Sequence, residues 1–209
     1  MKILTAILTA AALAAGATAA VLATTLTLTA TPTSVAYGKP ITLSGALSPA
    51  KANQNVKVTA TECGQNASKT VASVKTNATG AYTSPVTPTI NTIYQATQKT
   101  TKSPTVAVTV APVLKLQRVA RGSYTISVTS ARDLKGKAIL FQRYSTTRKR
   151  WVQVKRVLLA TTTPGTKPTI VSSAAFKAKV ARRVRVRAVL SKAQAAPCYV
   201  AATSNSVRA

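Results

Sequence analysis

The groups able to do chemistry in this chain are few, and their spacing narrows what that chemistry could be. The sequence has no histidine, which removes the commonest general base and a principal metal ligand. Glu62 and Asp133 are its only acids, one in each half. A glycosidase pair stands roughly 5 to 9.5 Å apart, so these two would have to meet across the two halves. Ser48-Pro49-Ala50-Lys51 has the S-x-x-K spacing of penicillin-binding enzymes. The partner S-D-N and K-T-G motifs are missing, and the segment reads as a strand-to-turn junction. The eight glycines stand singly and build no phosphate-cradling loop. These residues point to a non-enzymatic chain with no catalytic residue, no cofactor and no metal site. Asn66-Ala67-Ser68 and Asn77-Ala78-Thr79 fit the N-glycosylation pattern, which matters only in a host that uses it.

Cations are what the chain has in abundance. Its 29 Lys and Arg against two acids give a formal charge of +27. Residues 21–111 carry seven lysines, no arginine and Glu62, whereas residues 112–209 carry nine lysines, twelve arginines and Asp133. The two halves therefore differ, at +6 and +20, and the second suggests a polyanionic setting. Two stretches concentrate it. In "ARRVRVRAVL", Val184, Val186, Ala188 and Leu190 alternate with Arg183, Arg185 and Arg187. A period of two sends the apolar set inward and predicts that the three arginines share an outer face, about 7 Å from one to the next. In "RKRWVQVKR", Arg148, Lys149 and Arg150 read as the tip of a hairpin, with Trp151 either inside the sandwich or lying on it, the core position being the expected one. These six cations are the candidate polyanion-binding residues, since arginine grips phosphate, sulfate or carboxylate bidentately. Aromatics look too few, and not interleaved with the cations, for a base-stacking platform. Sequence-specific nucleic-acid recognition is not expected.

The elements that must position these residues are strands. Runs of alternating Val and Thr, such as "NVKVTATE" and "TVAVTVA", are punctuated by single Pro and Gly residues. Both β-branched types suit a pleated, half-buried surface. Strands at roughly 8–12-residue spacing predict an antiparallel sandwich. "GSYTISVTSARDLKGKAILFQRY" in the second half lines up in character with "GKPITLSGALSPAKANQNVKVTATE" in the first. The organisation read from this is a signal peptide at 1–20, one domain at 21–111 and a strongly basic second domain at 112–209. The fold class is all-β, with two tandem immunoglobulin-like antiparallel sandwiches.

"SVAYGKPITLSGALSP", "NATGAYTSPVTPTINTIYQAT" and "SPTVAVTV" resemble the repeated immunoglobulin-like (fibronectin-III-like) modules of bacterial secreted and cell-surface proteins. The resemblance covers most of residues 25–111 and extends less clearly over 112–209. It implies a β-sandwich stalk or binding module, and such modules serve many purposes.

Compartment is read from the N-terminus and the cysteines. Lys2 precedes an apolar run from Ile3 to Ala15, and Ala17-Thr18-Ala19 fits signal-peptidase cleavage. The run is short for a membrane span, which needs about 20 residues. The chain is therefore expected to be secreted, extracellular or cell-wall associated. Cys63 and Cys198 are the only thiols. In an oxidising compartment a disulfide between them is expected, with free thiols or crosslinks between chains as alternatives. The leading functional expectation is a structural or adhesive module at or near the bacterial cell surface. The alternative is a soluble binder of acidic polysaccharide, teichoic-acid-like polymer or DNA backbone through the second domain, with no membrane span in the mature chain. If the cleavage reading holds, N-terminal sequencing of exported protein should begin near Ala20 or Val21, not at Met1.

Overall fold

The computed structural model describes residues 23–209, so the expected signal segment lies outside the described residues. Ten strands build the first sandwich: β1 (Thr25–Leu26), β2 (Thr29–Thr31), β3 (Ser34–Ala36), β4 (Ile41–Ser48), β5 (Asn55–Glu62), β6 (Lys69–Lys75), β7 (Ala81–Val86), β8 (Thr92–Gln98), β9 (Thr101–Lys102) and β10 (Val106–Ala111). Strand β4 pairs with β1, β2 and β7 in one sheet. The facing sheet runs β3-β10-β8-β5-β6, with β9 alongside β8. The opening strand changes sheets at Pro32, which has no N–H for the β2–β4 ladder. Strand β3 then lies parallel to β10, while the other pairings are antiparallel.

The second sandwich contains β11 (Val113–Ala120), β12 (Ser123–Ser130), β13 (Ala138–Ser145), β14 (Arg150–Leu158), β15 (Thr161–Pro164), β16 (Ile170–Lys177), β17 (Arg185–Leu190), β18 (Ala202–Thr203) and β19 (Val207–Arg208). Its sheets are β11-β12-β16-β15 and β14-β13-β17-β18, with β19 also on β17. A one-turn helix, α1 (Lys192–Ala195), sits between β17 and β18. The chain is thus all-β, with two immunoglobulin-like antiparallel sandwiches in tandem.

Alternation explains both cores. In β5, Val56 and Val58 are fully buried while Lys57 and Asn55 face out. In β12, Tyr124, Ile126, Val128 and Ser130 point inward. Tyr124, Phe141 and Phe176 form an aromatic knot, with ring centroids 4.9 to 5.6 Å apart. In the first sandwich Gly45 leaves room for the Tyr82 ring and the Thr27 carbonyl, where a Cβ would lie 2.1 Å from the carbonyl oxygen. The buried Tyr82 hydroxyl donates to that carbonyl, and desolvation pushes its pKa up to about 12.

Neither acid is free. Glu62 pairs with Lys69. The Asp133 carboxylate accepts from the Lys135 N–H and the Thr162 and Ser172 hydroxyls, which hold its pKa below the usual carboxylate range. The last strand of the second sandwich is broken between β18 and β19, and Asn205 closes the gap. Its side chain accepts from Leu116 N–H at 2.9 Å and donates to Leu116 C=O at 3.0 Å, tying this edge to β11 of the other sheet.

Truncating Phe141 to alanine should remove the centre of the aromatic knot and cost about 3–5 kcal/mol of stability. Val119→Ser, at a site 70% exposed, should stay within about 0.5 kcal/mol of wild type. Denaturant melts of the two variants check both expectations.

Candidate anion-binding face

The outer face of the β14-β13-β17 sheet gathers the residues of interest in rows. Register places Trp151 opposite Tyr144 and Arg185 opposite Arg208. Arg143 pairs with Val186, so its neighbours Tyr144 and Arg185 fall side by side. Trp151, Tyr144, Arg185 and Arg208 therefore form one row across four strands. The next row holds Gln153, Gln142 and Arg187, which are in register across β14, β13 and β17.

Two arginine guanidiniums sit over aromatic rings. The Arg187 guanidinium is 4.3 Å from the Trp151 ring centroid and that of Arg185 is 5.0 Å from Tyr144. The two rings meet edge to face at 5.5 Å. Arg187 Nε donates to Gln142 Oε1 at 2.9 Å, which restrains the rotation of the guanidinium. Partial burial draws the Arg187 pKa below its ordinary value. Both acids are engaged elsewhere, so no carboxylate side chain neutralises this face.

Two expectations need correction here. Trp151 is not a core residue: it is half-buried on the outer face. The cause is a β-bulge. Phe141 pairs with Lys155 but Gln142 pairs with Gln153, so Val154 is an extra residue in β14. Val157 points into the core, and unbroken alternation back along β14 would have taken Trp151 inward with it. The extra residue reverses the parity. The same reversal brings aromatics among the cations, contrary to the expectation that they are not interleaved.

The predicted arginine ladder is also shorter than the alternation suggested. Arg185 and Arg187 project from β17, but Arg183 precedes the strand with φ +65° and donates its N–H to the Ala209 carbonyl. Val184 likewise lies before the strand and is only half-buried, unlike Val186, Ala188 and Leu190. Arg148, Lys149 and Arg150 are exposed at the β13–β14 turn, with Lys149 at φ +47°. They adjoin the face through Ser145, which pairs with Arg150 and accepts from the Arg148 N–H.

Beside the row lies a groove of about 400 Å³. Its walls are the turn Ser145–Thr147 and the segment Arg182–Arg185, closed by Arg143, Tyr144 and Arg208. Arg143 and Arg208 were not singled out in the sequence because they lie on segments distant from the arginine run, and Arg182 because it precedes the alternating pattern. Only the pairing of β13, β17 and β19 brings them together.

At the opposite end of this sandwich is the junction with the first. Cys63 and Cys198 form a disulfide with a Cα–Cα distance of 5.3 Å. Asn91 donates its N–H to Cys198 C=O and its side-chain amide to Pro197 C=O, each at 3.0 Å. Its Oδ1 accepts from Val110 N–H at 2.8 Å. Arg132 donates to Cys63 C=O, Val200 N–H to Val110 C=O, and the Tyr37 and Thr169 hydroxyls meet at 3.0 Å.

Comparison with family models and with curated proteins finds no match. Among solved structures, the chain is similar to bovine butyrophilin at 10% identity, covering 89% of this chain and 99% of that one, with a TM-score of 0.32. It is similar to a marsupial T cell receptor at 10% identity, covering 90% and 100%, with a TM-score of 0.34. At these TM-scores neither likeness carries an argument, and the fold description rests on strand order and pairing.

Replacing both cysteines with serine should leave two folded sandwiches, because each has its own core. The loss should therefore fall at or below the low end of the roughly 2–5 kcal/mol typical of small secreted domains. Thermal melts and limited proteolysis of the variant, compared with wild type, read out the stability loss and any loosening of the junction.

Proposed function

We propose that this chain is an exported, non-enzymatic module of the bacterial cell surface that holds an anionic polymer against the outer face of its second sandwich. The observation that supports this most directly is the pair of arginines stacked on Tyr144 and Trp151, on a face without acidic side chains. Stacking pre-orders each guanidinium without occupying its in-plane N–H groups, and at Arg187, whose Nε–H is taken by Gln142, the terminal N–H groups remain for an oxyanion. The polymers that fit are acidic polysaccharide, teichoic-acid-like polymer or the backbone of extracellular DNA. The disulfide fits an oxidising compartment, and no helix among the described residues is long and apolar enough to cross a membrane.

A second reading, a structural or adhesive spacer, is favoured by the crosslinked and hydrogen-bonded junction. The two are separable. A spacer needs the junction but is indifferent to the arginine face.

Retention on an anionic polymer should fall steeply with salt. Arg185→Gln/Arg187→Gln should flatten the log–log salt slope by about 0.7–0.9 for each phosphate that is no longer neutralised. A charge-matched control, Lys115→Gln/Lys135→Gln, should leave it closer to wild type. Trp151→Leu should weaken retention at every salt concentration with little change in slope, because it removes the stacking surface and no charge. Identical behaviour of the arginine and lysine variants would leave the face as a solvated surface and favour the spacer.

A further inference from the structure

The groove beside the stacked row has a hydrogen-bonding character of its own. Five arginines line it: Arg143, Arg182, Arg183, Arg185 and Arg208. Tyr144, Ser145, Thr146 and Thr147, all hydroxyl-bearing, line it as well. No carboxylate side chain lies among these residues, and the single ion pair among the described residues is Lys69–Glu62, in the other sandwich. Apart from Val184, the residues lining the hollow all carry guanidinium or hydroxyl groups.

The fold forces this grouping. Strand β13 ends at the turn that supplies the three hydroxyl residues, and β17 begins with Arg185 directly beside it. The segment crossing between the two sheets supplies Arg182 and Arg183, and Arg208 stands opposite Arg185. The Arg183 N–H and the Ala209 N–H are held by backbone carbonyls of the partner segment, so the arginine side chains project from a tied loop. The junction with the first sandwich is at the other end, beyond Val189 and Thr203. The groove is therefore at the free end of the second sandwich.

We infer that this groove is a phosphate subsite, taking a phosphate group carried by the bound polymer. The inference rests on the polyanion reading above and adds the ligand's chemistry to it. Like charges around one hollow repel unless an anion sits between them. An acceptor-only ligand suits a groove whose charged groups are all donors and whose hydroxyls can also donate. A phosphate is tetrahedral, with three terminal oxygens in a monoester and two in a diester whose bridging oxygens lie out of their plane, so guanidiniums from several walls can grip different edges. A carboxylate offers two oxygens in one plane, so each one engages fewer of the converging walls, and several on one molecule are held apart by its carbon skeleton. Arg185 belongs to both the groove and the stacked row, so a polymer seated here would continue across Tyr144 toward Arg187 and Trp151.

The test uses the full chain, with pyrophosphate and citrate, two small anions of like charge, titrated calorimetrically at constant ionic strength. Wild type should bind pyrophosphate about tenfold or more tightly than citrate, a difference of about 1.4 kcal/mol. Arg182→Gln/Arg183→Gln, two exposed residues outside any strand, should bring the two anions to near parity. Arg208→Gln provides an independent route to the same loss should the loop variant melt early. Lys115→Gln/Lys135→Gln, equal in charge change and remote from the groove, should keep the preference. Equal binding of the two anions by wild type overturns the subsite, as does equal loss in the lysine control. For the source of the phosphate, an oligomer with a terminal phosphomonoester is compared with the same oligomer after phosphatase treatment. A drop on treatment assigns a chain end, and no drop assigns an internal phosphodiester. A chain that prefers pyrophosphate but shows no salt-dependent polymer retention keeps the groove and overturns the polymer reading instead.

Discussion

Electrostatic self-repulsion is the constraint under which this fold is built. With 29 cations and two acids, the chain cannot neutralise itself by ion pairing. Repulsion of this kind disfavours compact states, so cohesion must come from apolar burial and hydrogen bonds. Strand alternation supplies the first. It delivers Val56, Val58, Ile126, Phe141, Val186 and Leu190 to fully buried positions while turning lysines and arginines outward. The two acids are placed where they organise structure. Glu62 pins the start of β6 through Lys69, and Asp133 holds the loop between β12 and β13 through three donors. Neither forms an ion pair with an arginine of the stacked row.

The same constraint gives the junction its importance. Two basic sandwiches repel each other, and short polar contacts between exposed surfaces are individually weak. Asn91 concentrates four hydrogen bonds in one residue, two to the segment containing Cys198, one from β10 and one from the Cys63 N–H. The disulfide then ties that segment to the end of β5. The basic end of the second sandwich is thereby directed away from the first, which carries the lower charge.

Much of this was legible in the sequence, and what was not has an identifiable cause. The alternating valines of β5 and β17 marked their inward faces, and one cysteine in each half marked the crosslink. Trp151 was misplaced because periodicity assumes an unbroken ladder, and Val154 breaks it. No residue type in "RWVQVKRVL" announces a bulge. It becomes visible only when Phe141 and Gln142 are paired with their partners. Arg183 was placed on a strand for a related reason. Period two holds through Val184 in sequence, but the chain there is still a left-handed turn. The groove was legible only in part: Arg183 and Arg185 stood among the candidate cations, but Arg143 and Arg208 lie on distant segments that only tertiary pairing brings to them.

The bulge therefore matters to function as well as to fold. With unbroken alternation, Trp151 would fill the core and Arg187 would wave free in solvent, as most surface arginines do. Ordering a long side chain on binding costs about 0.5–1.5 kcal/mol. An exposed cation–π contact returns about 0.5–1 kcal/mol, so stacking on Trp151 and the bond to Gln142 meet much of that cost before any ligand arrives. A face of freely moving cations would still attract polyanions, but each contact would begin from disorder. By moving one tryptophan from the inside to the outside, a single extra residue in β14 converts a charged surface into a partly preorganised one.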